Sequence, residues 1–282
     1  MEDIKIDEML KYRDQQKNIT YGFTSPGLSF VYGFPGSFKS MLMSDLAVAC
    51  ATGKPWLKPV ANTDIPPINT QKSSVIYVDL ANGKNNIMTR FGALLRGYGI
   101  NSAKNIPLHV FSASPDDLSA KDKQSMNKLK EKILSFNASM VFIDVFSLPA
   151  FGIKDDDPDI AGTLYNIKKI TEDCLCCMVI IYTQLNISPR QNVEETTRQI
   201  SLIDKEADFI LRIERLKQIK NQVLLRPLKC KHAYLNIYQA EFQFSHWPNT
   251  NKLCSASFSS FQVMPPMSVQ KATETFHLEM MM

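Results

Sequence analysis

The chain has 282 residues, of which 44% are hydrophobic and 21% charged, and it carries a formal net charge of +4. That is ordinary globular composition, so overall disorder is not expected, and the length accommodates one large α/β domain or two small ones, either with a sizeable core. No apolar run approaches the roughly 18 to 20 residues that cross a bilayer, and Met1-Glu2-Asp3-Ile4 is acidic rather than signal-like, so we expect a soluble, cytoplasmic protein without membrane contact.

In chain order, residues 1–20 are polar and charged and read as an N-terminal arm, with the core beginning near Tyr21. Gly27 to Tyr32 predicts a first strand. Lys39 to Ala51 predicts a helix with Leu42, Leu46 and Ala49 on one face and Gly53 as its stop. After a Pro-rich polar loop from Lys54 to Ser73, Ser74 to Leu80 reads as a second strand. Asn85 to Tyr98 then sets Ile87, Phe91, Leu94, Leu95 and Tyr98 at helical spacing. Further strands are predicted at Leu108–Phe111, Met140–Asp144 and Met178–Thr183, with helices around Lys121–Phe136 and Pro158–Leu175 between them. This alternation implies a mostly parallel sheet flanked by helices, with right-handed crossovers. After Ala207 strands alone follow, at Phe209–Ile213, Val223–Leu228 and Tyr234–Phe244, which predicts C-terminal antiparallel hairpins extending the sheet. From Asn249 the Ser-rich, Met-ended sequence reads as a tail. The expected division is an arm at 1–20, a core at 21–248 and a flexible tail at 249–282, without internal repeats.

The six cysteines, Cys50, Cys174, Cys176, Cys177, Cys230 and Cys254, show no C-x-x-C pair and read as reduced, buried thiols. His109, His232, His246 and His277 are scattered, without metal-ligand spacing.

The most informative segment is Gly33-Phe34-Pro35-Gly36-Ser37-Phe38-Lys39-Ser40, because it joins a strand to a helix that continues through Met41. Inward-turned amides in such a loop, together with the positive end of the helix dipole, make a socket for phosphates. In that socket Lys39 would meet the β- and γ-phosphates of a nucleotide, and the Ser40 hydroxyl would coordinate Mg²⁺. The general pattern has Gly where this chain has Phe38. A side chain is tolerated there if the backbone keeps a negative φ and the ring points away from the phosphates.

Two later strand ends fit the same chemistry. Met140-Val141-Phe142-Ile143-Asp144 places a carboxylate beyond the carboxyl end of a strand, where it can hold Mg²⁺ through the metal's water shell. The strand ending Tyr182-Thr183-Gln184 offers an amide to the γ-phosphate or its attacking water; a polar residue closing a strand is the plainer reading.

With these residues in order, and with Val75-Ile76-Tyr77-Val78-Asp79-Leu80 between them, the chain resembles the RecA-fold P-loop ATPases over about residues 21–245. Within them it is similar to the branch of DnaB-type and plasmid RepA-type hexameric helicases and their phage AAA-labelled relatives. The resemblance implies ATP and Mg²⁺ as ligands, a homo-oligomeric ring of about six subunits and single-stranded DNA as partner. It also places the segment from Leu185 to Thr197 at a central, DNA-facing channel. Lys229-Cys230-Lys231 falls where the family reaches across to a neighbour's γ-phosphate with Lys-x-Arg; Lys231 keeps the charge but loses the bidentate fork. The basic run Arg212, Arg215, Lys217, Lys220 is read as a solvated face or part of a phosphate-contacting surface. With only about twenty residues before the core, loading or primase coupling is expected from replication partners.

The main departure is Ala81, which stands where the family has the Glu that activates the attacking water. A methyl group can neither align that water nor take its proton, and Asp79, two residues earlier, is a poor substitute. Two functions follow: a helicase-like ATPase motor, or an ATP-binding recombination factor, annealing factor or switch with little turnover. A metabolic kinase lacks a recognisable acceptor site here.

Overall fold

The computed structural model describes residues 17–60, 63–102, 104–154, 157–183, 203–216 and 221–264. The chain opens with a hairpin of β1 (Lys17–Thr20) and β2 (Phe23–Ser25), so the predicted arm is already strand by Lys17. The main sheet then starts with β3 (Gly27–Gly33), and α1 (Lys39–Thr52) follows it. Next come β4 (Lys58–Pro59), β5 (Ser74–Asp79), α2 (Lys84–Gly97) and β6 (Leu108–Ser112). They lead to α3 (Lys123–Ser135), β7 (Ala138–Asp144), α4 (Ile160–Cys174) and β8 (Cys177–Thr183). Four long strands close the described chain: β9 (Phe209–Arg215), β10 (Gln222–Cys230), β11 (Ile237–His246) and β12 (Leu253–Met264).

Among the described residues one ten-stranded sheet runs β4-β12-β11-β10-β9-β3-β8-β7-β5-β6. The strands from β9 across to β6 are parallel neighbours, while β9 through β12 pair antiparallel. The expected parallel core with an antiparallel extension is therefore present.

Period-two alternation distributes each strand between two cores. Val75, Tyr77, Met140, Phe142, Val179 and Ile181 pack with α1 and α2 on one face. Leu28, Phe30, Ile76, Val141, Ile143 and Ile180 pack with α3 and α4 on the other. α1 is buried on nearly all sides from Leu42 to Ala51, which explains why its apolar residues, interrupted only by Ser44 and Asp45 in that stretch, form no single stripe. Full burial of Leu42, Met43 and Leu46 stabilises by about 1.5–3 kcal/mol each. The helix ends as expected at Gly53, whose φ of 71° lets its N–H reach the Ala49 carbonyl.

The C-terminal region differs from the expected tail. Residues from Leu253 to Met264 form the long strand β12, paired with β11 and, in parallel, with β4. Ala256, Phe258 and Ser260 point inward, while Ser255, Ser257 and Ser259 are half-exposed. Gly97 of α2 lies directly on this strand, where an added Cβ would collide with the Ala256 carbonyl. With Phe258 flanked inward by the small Ala256 and Ser260 and with serines outward, the strand carries no strong hydrophobic signature.

Candidate nucleotide site

The parallel register lines up the chemistry at one end of the sheet. Gly33 at the end of β3 is level with Thr183 at the end of β8, and Asp79 at the end of β5 is level with Asp144 at the end of β7. The segment from Phe34 to Phe38 leaves β3 here and turns into α1. Gly33 has no room for a side chain, since a Cβ would strike the Ile213 carbonyl of β9; Gly36 needs its freedom for a φ of +76°. The Ser37 amide donates to the Phe34 carbonyl at 3.2 Å, closing the turn.

Phe38 departs from the expected backbone. Its φ is +63°, in the left-handed region, and this costs a non-glycine residue about 1–2 kcal/mol. The ring offsets that cost by leaving the loop altogether: its centroid is 4.2 Å from that of Phe242 and 6.0 Å from that of Phe244, both on β11. The Arg215 guanidinium lies over the ring, 5.1 Å from its centroid. Only the expectation that the ring points away from the phosphate cradle holds. At this N-cap position no side chain caps the helix, which leaves the first amides of α1, from Lys39 through Met41, without a side-chain acceptor from the cap. The Ser37 hydroxyl is buried beside them and has no hydrogen-bond partner. An uncapped helix start with an orphaned hydroxyl is chemistry suited to phosphate oxygens.

Lys39 is buried and folds back across the loop, its Nζ donating to the Phe34 carbonyl at 3.4 Å. Burial lowers its pKa, and the Asp144 carboxylate works against that shift. The Ser40 hydroxyl donates to Asp144 Oδ1 at 3.0 Å. Asp144 Oδ2 receives the Tyr77 hydroxyl at 2.9 Å, the Asn82 side-chain amide at 3.5 Å and the Arg90 guanidinium at 3.3 Å. Asp144 is 2% exposed. Burial raises its pKa, Arg90, Tyr77 and Ser40 oppose the rise, and the nearby Asp79 adds to it.

The pairing of Ser40 Oγ and Asp144 Oδ1 suits a Mg²⁺ ion, which takes hard oxygen donors and keeps much of its water. Arg90, Tyr77 and Asn82 engage Oδ2, so Oδ1 is the oxygen that faces Ser40. Sequence reasoning missed these three residues. Arg90 lies one turn beyond Ile87 on α2, and nothing in a helical repeat announces that it reaches a strand end 54 residues later.

Ala81 follows β5 and is exposed. Asp79 cannot replace a Glu there: its carboxylate is 0% exposed and accepts from the amides of Asn82 and Gly83, each at 3.0 Å, and from Asn82 Nδ2 at 2.6 Å. Gln184, the 185–197 segment, Lys217 and Lys220 lie outside the described residues. Arg212 is paired with Glu214 at 2.9 Å, and Arg215 supports Phe38.

Lys229 and Lys231 are not brought to this site. β10 runs antiparallel, so Cys230 stands opposite Phe209, and Phe209 opposite Ser29 near the start of β3. Both lysines therefore lie at the far end of the sheet, Lys229 3.7 Å from Asp204 and Lys231 2.8 Å from Asp208. The cysteines of the structure are free, and the described residues hold no cluster of three or more His, Cys, Asp or Glu fit to bind a metal.

The profile of a family described as "AAA domain" matches residues 2–185, from the N-terminal segment through the phosphate loop and Asp144 to the end of β8. The chain belongs to the AAA domain family. As an AAA domain it is an ATP-binding P-loop ATPase. No curated protein matches the sequence. Among solved structures the AAA domain is similar to the KaiC-like protein PH0186 of the hyperthermophilic archaeon Pyrococcus horikoshii OT3. The TM-score is 0.52 at 12% identity, covering 86% of this chain and 94% of that one. That likeness concerns the fold, which is RecA-like, with the sheet order described above. No helix of the described AAA domain is long and apolar enough to cross a membrane.

Proposed function

We propose that this AAA domain is the ATP-driven subunit of a ring, about hexameric, that moves on single-stranded DNA as a plasmid or phage replicative helicase does. The observation that carries the nucleotide part of this reading is the Ser40–Asp144 contact at 3.0 Å, with Lys39 beside it at an uncapped helix start. In this reading Gly33, Phe34, Pro35, Gly36, Ser37, Phe38, Lys39, Ser40 and Met41 wrap the phosphates. Ser40 and Asp144 hold Mg²⁺, which when bound supplies charge neutralisation on the β- and γ-oxygens. Gln184 reports the state of the γ-phosphate to the segment after it, and Lys229 and Lys231 complete the site of the next subunit. The far-end position of the two lysines supports a role in trans, because neither can serve its own loop.

One observation favours a second reading, an ATP-binding recombination or annealing factor, or a switch, with little turnover. Ala81 offers no carboxylate, and Asp79 is fully engaged by Asn82 and Gly83. The experiment is ATP turnover with and without single-stranded DNA, for the unaltered chain and for Ala81→Glu, with sizing of the ATP-bound form. A motor shows DNA-stimulated turnover, raised by Ala81→Glu, together with assembly. A switch shows assembly and negligible phosphate release. Absence of both turnover and association in both forms defeats the motor.

A further inference from the structure

Asn82 stands in the turn where β5 hands over to α2, between the carboxylates of two strand ends. Its Nδ2 donates to Asp79 Oδ1 at 2.6 Å and to Asp144 Oδ2 at 3.5 Å. Only the N–H side of an amide can face two carboxylates, so these contacts fix which way the group is turned. Its carbonyl oxygen Oδ1 is directed away from both, and among the described residues nothing donates to it. The turn beneath is held firmly: Asp79 Oδ2 accepts the amides of Asn82 and Gly83, each at 3.0 Å, and the Asn82 backbone carbonyl accepts from Asn86 Nδ2 at 2.9 Å. Ser40 and Asn82 therefore stand on the two oxygens of one carboxylate, Ser40 on Asp144 Oδ1 at 3.0 Å and Asn82 on Oδ2. The residue before it, Ala81, is exposed and its methyl group accepts no hydrogen bond. An oriented acceptor thus lies beside the position that lacks a carboxylate, one carboxylate's width from the Ser40 hydroxyl.

We propose that Asn82 Oδ1 orients the attacking water for ATP hydrolysis in this chain, in place of the carboxylate that Ala81 lacks. The inference rests on the nucleotide site and not on the ring or on DNA. An amide oxygen accepts a hydrogen bond and so aligns a water, as a Gln does in some P-loop enzymes, but it is too weak a base to keep the proton. The water oxygen bonds to the γ-phosphorus while the bond to the β,γ-bridging oxygen breaks, and that electron pair leaves on ADP. The water's proton passes to a γ-phosphate oxygen, so the products are ADP and dihydrogen phosphate. Alignment without proton capture gives slow turnover, which separates this chain from an inert ATP switch. Asp79 acts only through Asn82, and an amide oxygen at position 79 would hold Asn82 Nδ2 equally well.

The test uses Asn82→Ala, Ala81→Glu and the Ala81→Glu/Asn82→Ala double variant, with Lys39→Met as the blank. It reads kcat and KM for phosphate release, per molecule competent to bind ADP·beryllium fluoride, and the affinities for ADP·beryllium fluoride and ADP·aluminium fluoride. The first complex mimics bound ATP, and the second mimics the transition state with its in-line water. Asn82→Ala is expected to lower kcat by about tenfold or more at unchanged KM, and to weaken ADP·aluminium fluoride by a similar factor while ADP·beryllium fluoride stays constant. In the Ala81→Glu background the same substitution is expected to change kcat by less than about threefold, because the new carboxylate then holds the water. An equal fractional loss in both backgrounds overturns the proposal, since Asn82 then only shapes the turn. A rise in KM with kcat kept also overturns it, and so does unchanged kcat with unchanged affinity for ADP·aluminium fluoride. Phosphate release by the unaltered chain no faster than by Lys39→Met overturns it and leaves the ATP switch standing. If the unaltered chain binds neither fluoride complex, the nucleotide site itself falls, and this proposal with it.

Discussion

The Arg90 guanidinium lies 3.3 Å from Asp144 Oδ2, so a cation already faces the carboxylate that Ser40 contacts. Both side chains are largely shielded from water, and burial would otherwise drive Asp144 toward its neutral form. Arg90→Met is expected to cost about 3 kcal/mol of stability, because it leaves that charge uncompensated. Adding Asp144→Asn should recover much of the loss, and chemical denaturation of the four members of this double-mutant cycle checks it. Additive losses would show that the pair is incidental.

Phe38 predicts an inverted order of two small substitutions. Phe38→Ala loses the ring's packing on Phe242 and keeps a side chain at a φ of +63°, whereas Phe38→Gly loses the packing and relieves the backbone. The Gly variant should be the more stable by about 1 kcal/mol, opposite to the usual Ala-over-Gly preference near a helix. Thermal melts of the two variants decide it.

Turnover should respond to position 81 and not to position 79. Ala81→Glu is expected to raise ATP hydrolysis by about 10²- to 10⁴-fold, the range of a positioned general base. Asp79→Asn should leave the rate per folded molecule unchanged but cost about 1–3 kcal/mol, since it spoils the acceptor for two amides. Phosphate-release assays paired with denaturation curves separate the effects, and a rate that collapses in Asp79→Asn would assign the base to Asp79.

Asp45 predicts a pH dependence. It is buried in the middle of α1, and burial pushes its carboxyl up from 3.8 to about 8. Hydrogen bonds from Tyr98 and Trp56 and the charge of Lys58 offset part of that shift. Between pH 4 and 8 the folded chain keeps a proton that the unfolded chain has released, so this residue's contribution falls as pH rises through that window and is flat above it. Asp45→Asn should flatten the profile and stabilise the protein at pH 8 relative to the parent, as read from melting temperature against pH.

Much of this site was legible because its parts are local. A strand, a Gly-rich turn and a helix start are neighbours in sequence, and Asp144 ends an apolar run that can only be a buried strand. What stayed hidden depends on packing between distant segments. Arg90, Tyr77 and Asn82 converge on Asp144 only because β5 lies beside β7 and α2 folds back over them. β12 escaped notice because Phe258 stands alone between the small Ala256 and Ser260 on its inward face, and its approach by α2 depends on the missing side chain of Gly97. The left-handed backbone of Phe38 was illegible for a related reason: its compensation is supplied by Phe242, on a strand that local sequence cannot place next to the loop.

The tilted contact of the Phe38 ring with Phe242 also ties the added hairpins to the loop. Because one residue belongs both to the turn at the start of α1 and to the aromatic seam on β11, the outer strands pack directly against the phosphate loop. The outer strands thus share a side chain's packing with the loop rather than merely widening the sheet.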